Sequence, residues 1–126
     1  VGARQESSGD VRGVPEIQVP TARDVVAGGD VLLLEPPIMG AVGGFAGYPN
    51  ACPREAVELY GLATSGRIEE AKELYKHLVP VFRWDSCTDF VQATNLSIDL
   101  SAASSRAPTL PTRTRLSAAL AFQRPL

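Results

Sequence analysis

Apolar positions along the chain change their spacing several times, and each change marks an element. From Pro53 to Thr64 the residues Ala56, Val57, Leu59, Tyr60 and Leu62 recur at helical spacing, with Ser65-Gly66 as the stop. Pro53 suits the first turn of that helix, where an N–H goes unpaired in any case. A second helix follows, with Ile68, Ala71, Leu74, Leu78 and Val79 three and four apart and Glu69, Glu70, Lys72 and Glu73 on the other face. Upstream the apolar runs are shorter. Val1 to Glu6 predicts a strand that ends at Ser7-Ser8-Gly9-Asp10, whose Ser and Asp suit the N-cap of a helix from about Asp10 to Gln18. Gly13 and Pro15 weaken that helix, and Pro20 is expected to end it. Asp24-Val25-Val26-Ala27, closed by Gly28-Gly29-Asp30, fits strand or helix equally. Val31 to Leu34 is a buried segment before Pro36-Pro37, and Ala41 to Gly47 is a glycine-rich strand whose backbone approaches something closely. The pattern closes with a helix from about Thr88 to Leu100, a Ser/Ala/Pro-rich stretch from Ser101 to Pro111, and an amphipathic helix near Arg113 to Phe122.

Strand, helix, strand, helix, strand and then several helices is the rhythm of a parallel α/β structure. Three strands cannot close a barrel. A parallel sheet needs both faces covered and its edges paired, so self-association or a partner chain supplying further strands is expected. At 126 residues the chain is one domain at most, and Val1 in place of a methionine points to a processed, truncated or partial chain. With 44% hydrophobic and 21% charged residues and a formal net charge of -2, the composition is that of a globular chain, and neither nucleic acid nor membrane is an expected partner. No run reaches the roughly 18 apolar residues of a membrane span and no secretion signal opens the chain, so a cytoplasmic location is expected.

Metal chemistry is not expected. Cys52 and Cys87 have no ligand-like spacing, His77 is the sole histidine, and the two thiols are expected to be reduced. Glu58, Glu69, Glu70 and Glu73 read as a solvated helix face, and His77 as a surface residue near a helix C-terminus.

Three pieces occur in order: Glu6-Ser7-Ser8-Gly9-Asp10 after an apolar strand, Gly28-Gly29-Asp30, and Gly40 to Pro53 with its run Ala41-Val42-Gly43-Gly44-Phe45-Ala46-Gly47. The series resembles the dihydrodipicolinate synthase / N-acetylneuraminate lyase family of Schiff-base lyases. The run Glu55-Ala56-Val57-Glu58-Leu59-Tyr60 through Gly66-Arg67-Ile68-Glu69-Glu70-Ala71, with Arg106-Ala107-Pro108 further on, continues the likeness. The resemblance implies the C-terminal part of a (β/α)8 TIM barrel of about 250 residues, with this chain supplying strands six, seven and eight plus C-terminal helices. On that reading residues 1–82 are the last three βα units and 83–126 a helical extension.

In the family, the strand-six residue just before the Glu of this turn is a lysine that condenses with the keto group of pyruvate or a related 2-oxo acid. The step needs an amine that can lose a proton, attack a carbonyl and become an iminium electron sink. Here that position is Gln5, whose amide nitrogen is delocalised into its carbonyl and cannot form a Schiff base. Arg4 stays protonated and falls on the opposite face of the strand. Gly28 matches a strand-seven glycine near the substrate. Phe45 matches the strand-eight position whose carbonyl borders the lysine, or else fills the core. The family's catalytic tyrosine and its Thr-Thr carboxylate-binding pair belong to earlier strands and have no counterpart here. No cofactor is expected.

Two functions follow from the resemblance. The chain is a partial or degenerate member of the family, silent alone because Gln5 replaces the lysine; or it is a non-enzymatic half-barrel that binds a 2-oxo acid or regulates by pairing with another chain. An unrelated small α/β binding domain is the third reading, should the likeness be accidental.

Overall fold

The computed structural model describes residues 2–103. The Ser/Ala/Pro-rich stretch beyond Ala103 and the helix expected near Arg113 to Phe122 lie outside the described residues. Three strands, β1 (Ala3–Glu6), β2 (Asp24–Gly28) and β3 (Gly43–Phe45), form one parallel sheet in that order. The run Asp24 to Ala27, open from periodicity, is thus a strand. Five helices accompany the sheet: α1 (Gly13–Thr21), the short α2 (Glu35–Ile38), α3 (Pro53–Thr64), α4 (Ile68–Phe82) and α5 (Phe90–Ala103). Three 3-10 turns, at Asp30–Leu32, Tyr48–Asn50 and Arg83–Ser86, link them.

Two helices depart from the expected boundaries. α1 starts at Gly13 because Asp10 spends its hydrogen bonds on a turn of its own: its carboxylate accepts the Arg12 N–H at 3.0 Å and its carbonyl accepts the Gly13 N–H at 2.9 Å. An Asp that bonds two residues ahead competes with the helix in this way. Gly9, at φ +86°, sets the chain's entry to that turn. Pro20 does not end α1. Its missing N–H falls in the last turn, and Thr21 Oγ1 donating to the Ile17 carbonyl and Ala22 N–H donating to Gln18 hold the exit. α4 likewise runs through Pro80 to Phe82, which is fully buried and packs its ring 6.4 Å from Tyr48 and 6.5 Å from Tyr75. Burial of an aromatic ring of this size outweighs one lost backbone bond.

The larger core lies among the helices and turns. Leu59, Leu62 and Ala63 of α3 meet Ala71, Leu78 and Phe82 of α4, with Leu33, Leu34, Tyr48, Ala93 and Leu96 around them. A smaller cluster of Val14, Val25 and Ala41 seats α1 on the sheet. Register pairs Gln5 with Val26, Val26 with Gly43, and Gly28 with Phe45. Alternation then sets Val25, Ala27 and Gly44 on the helix-covered face, and Ala3, Gln5, Val26, Gly28, Gly43 and Phe45 on the other. That second face has no covering layer among the described residues. Ala3 and Gln5 are exposed, and Phe45 is 73% exposed. Parallel sheets are ordinarily buried on both sides.

Candidate functional site

The uncovered face gathers its polar groups where the strands end. Gln5 is the third residue of β1, and Ser7, just past the strand, projects to the same side by alternation. Gln5 Nε2 donates to Ser7 Oγ at 3.1 Å. Both side chains lie across Gly28: a Cβ there would fall 2.0 Å from Ser7 Oγ and 2.6 Å from Gln5 Nε2. Gly28 is therefore small because Gln5 and Ser7 occupy the space a side chain would need. Phe45 is the register partner of Gly28 on β3, which sets it on the same face of the sheet. The structure thus brings Gln5, Gly28 and Phe45 together at the C-terminal end of the sheet, and Phe45 is exposed there on the uncovered face.

Glu6 points the other way. Its side chain lies under Gly13 at the start of α1, where a Cβ would be 2.8 Å from its Cδ, and its carboxylate accepts the Ser8 N–H at 2.8 Å. Arg4, paired with Val25 in register, shares that opposite face. The only lysines, Lys72 and Lys76, are on the exposed side of α4, donating to Glu69 at 2.7 Å and Glu73 at 2.6 Å. Arg67 pairs with Glu70 in the same row, and exposed pairs of this kind add little stability. His77 is exposed, with Nδ1 2.7 Å from the Glu73 carbonyl oxygen.

Behind the strand ends lies a group that the sequence reading passed over. Asp30 is fully buried, and its Oδ1 accepts the Tyr48 N–H at 2.8 Å. Asp85 Oδ2, from the turn after α4, accepts the Asp30 N–H at 2.9 Å. Burial pushes the Asp30 carboxyl up to about 6; the Tyr48 N–H opposes that rise and the nearby Asp85 charge adds to it. In sequence, Gly28-Gly29-Asp30 reads only as a turn, and nothing local marks its carboxyl as buried. Burial also pushes the Cys52 thiol up to about 11, and its Sγ sits 3.3 Å from the Tyr48 carbonyl oxygen.

An apolar cavity of about 270 Å³ opens between β3 and α3, lined by Leu33, Pro37, Val42, Pro49, Val57 and Tyr60. It lies on the helix side of the sheet, away from Gln5, and the Tyr60 hydroxyl in its lining donates to the Val42 carbonyl at 2.9 Å. Among the described residues no cluster of His, Cys, Asp and Glu could hold a metal ion, and no helix is long and apolar enough to cross a membrane.

No protein-family model matches the chain. Individual proteins do. The 4-hydroxy-tetrahydrodipicolinate synthase of Leptospira biflexa is 32% identical over 84 residues, which cover 65% of this chain and 29% of that protein. An uncharacterized DapA-like lyase of Pyrobaculum islandicum is 38% identical over 60 residues, covering 48% of this chain and 20% of that protein. In shape, the dihydrodipicolinate synthase of Aquifex aeolicus superposes with a TM-score of 0.74 at 23% identity, covering 97% of this chain and 45% of that chain. The chain spans less than a third of the curated relatives it matches. In sequence the chain is thus similar to a dihydrodipicolinate synthase and DapA-like lyases, and in fold to dihydrodipicolinate synthases, over one part of their length.

Proposed function

We propose that this chain supplies the counterpart of strands six, seven and eight of a dihydrodipicolinate synthase / N-acetylneuraminate lyase barrel, with Gln5 at the position of the Schiff-base lysine, and that alone it forms no covalent adduct with a 2-oxo acid. The observation that carries this reading is the place of Gln5. It ends the first strand on the uncovered face, over Gly28 and beside Phe45, where active sites of such barrels are assembled. A carboxamide there cannot become an iminium, and no lysine stands on that face to replace it. A TIM barrel closes with eight strands; the remaining ones must come from elsewhere for the site to enclose a ligand.

The Gln5–Ser7 pair supports a second reading. Amide N–H and hydroxyl are both donors suited to a carboxylate or keto oxygen, so a barrel completed by another chain would still hold a 2-oxo acid such as pyruvate without reacting with it. The placement is tested by mixing the full chain with a polypeptide carrying the first five βα units of a dihydrodipicolinate synthase. A one-to-one complex in sedimentation, with the amides of β1 and β3 newly protected from exchange, is expected. Two components that sediment independently would overturn it.

A further inference from the structure

We propose that Asp30 and Asp85 form an acid-set latch that ties the exits of β2 and β3 together and loosens as the pH rises toward neutral. The latch rests on geometry that is independent of any reaction at Gln5. Asp30 follows Gly28 by two residues, and the N–H it receives belongs to Tyr48, three residues past Phe45, so one carboxylate oxygen joins the two strand exits at 2.8 Å. Its own N–H is bound by Asp85 at 2.9 Å, which draws in the turn after α4. Gly29 sits between them at φ +113°, and a Cβ there would lie 3.6 Å from Asp85 Oδ2, so the second carboxylate is packed directly against this backbone. The other oxygen of Asp30, Oδ2, is buried with no hydrogen-bond partner.

No cation answers these two carboxylates: every ion pair among the described residues lies elsewhere. The groups that act on Asp30 are Asp85 from the turn at Arg83–Ser86, the backbone N–H groups of Tyr48 and Gly47, and Cys52 from the segment after β3. Arg83, on the same turn as Asp85, acts on Tyr75. Burial of the carboxyl, with one oxygen lacking a hydrogen-bond partner and a second negative charge nearby, favours the proton, and outweighs the Tyr48 and Gly47 N–H groups that favour the charged form. The folded chain then holds the Asp30 proton more tightly than the unfolded chain does. The latch is fully set below the ordinary carboxylate value of 3.8, weakens as the pH climbs toward about 6, and stays weak above it. Because the bonds join the segments after Gly28 and Phe45, loosening is felt at the rim that carries Gln5.

Trp84, the single tryptophan, adjoins Asp85 and has a buried indole N–H, so its fluorescence reports the latch. In the full chain, titrated from about pH 2.5 to about pH 8, one transition centred near 6 is expected. Asp30→Asn should abolish it. Asp85→Asn, which keeps an oxygen acceptor but removes the neighbouring charge, should keep the transition and move its midpoint down; His77→Gln should leave it in place. A chain with no transition, a midpoint at the ordinary carboxylate value, a transition that survives Asp30→Asn, or one lost in His77→Gln would overturn the proposal. Should Asp30→Asn fail to fold, Asp85→Asn decides, and an unmoved midpoint there overturns it.

Discussion

Gly47→Ala isolates the contact that docks α5 onto the rest of the fold. Gly47 has ordinary helical dihedrals, φ -80° and ψ -50°, so alanine meets no backbone strain there. What it meets is Phe90: the new Cβ would lie 2.3 Å from Cζ, 3.0 Å from Cε2 and 3.4 Å from Cε1. The same ring lies against Tyr48, tilted by 59° with 6.2 Å between centroids, so moving it off the new Cβ disturbs that contact. Overpacking of this kind costs about 1 to 3 kcal/mol, less about 0.4 to 1 kcal/mol that alanine returns by restricting the unfolded chain. A net loss of about 1 to 2 kcal/mol is expected in urea unfolding at one fixed protein concentration. In a Phe90→Ala background the clash is gone, so the same substitution should be neutral or slightly stabilising, giving a coupling of about 1 to 3 kcal/mol. Equal effects of Gly47→Ala in the two backgrounds would refute the docking of α5 through this contact.

Three further outcomes follow from the packing. Leu59→Ala removes a fully buried side chain from the centre of the larger core and should cost about 2 to 5 kcal/mol by urea unfolding. Val57→Ala, two residues away and 73% exposed, should change stability by no more than about 0.5 kcal/mol in the same assay. Gly28→Ala drives a Cβ into Ser7 and Gln5, whose exposed side chains can swing aside, so a loss of about 1 kcal/mol is expected together with a shifted side-chain amide resonance of Gln5 in NMR spectra.

Long-period elements were legible because a single stripe decides them. The apolar positions of α3 and α4 give both helices and most of the core between them. The short elements depended on competition that no stripe records: Asp10 diverted its bonds to a turn, and Phe82 carried α4 past Pro80. Gln5, Gly28 and Phe45 were legible only through the family resemblance carried by the order of the motifs, and the register of the strands sets all three on one face at one end. Ser7 was readable by the same alternation, two residues beyond Gln5. Asp30 was not, since its partners Tyr48 and Asp85 are 18 and 55 residues away and nothing local announces them.

Reductive trapping tests the central claim most directly. The chain, joined to the first five βα units of a dihydrodipicolinate synthase so that the barrel closes, is incubated with pyruvate and borohydride and read by intact-mass spectrometry, beside the same protein carrying Gln5→Lys. No adduct is expected with Gln5, and one adduct, mapped to position 5, is expected with lysine. A fold-dependent adduct on Lys72 or Lys76 in the unaltered chain, or no adduct at position 5 in Gln5→Lys, would contradict the assignment of Gln5 to the lysine position.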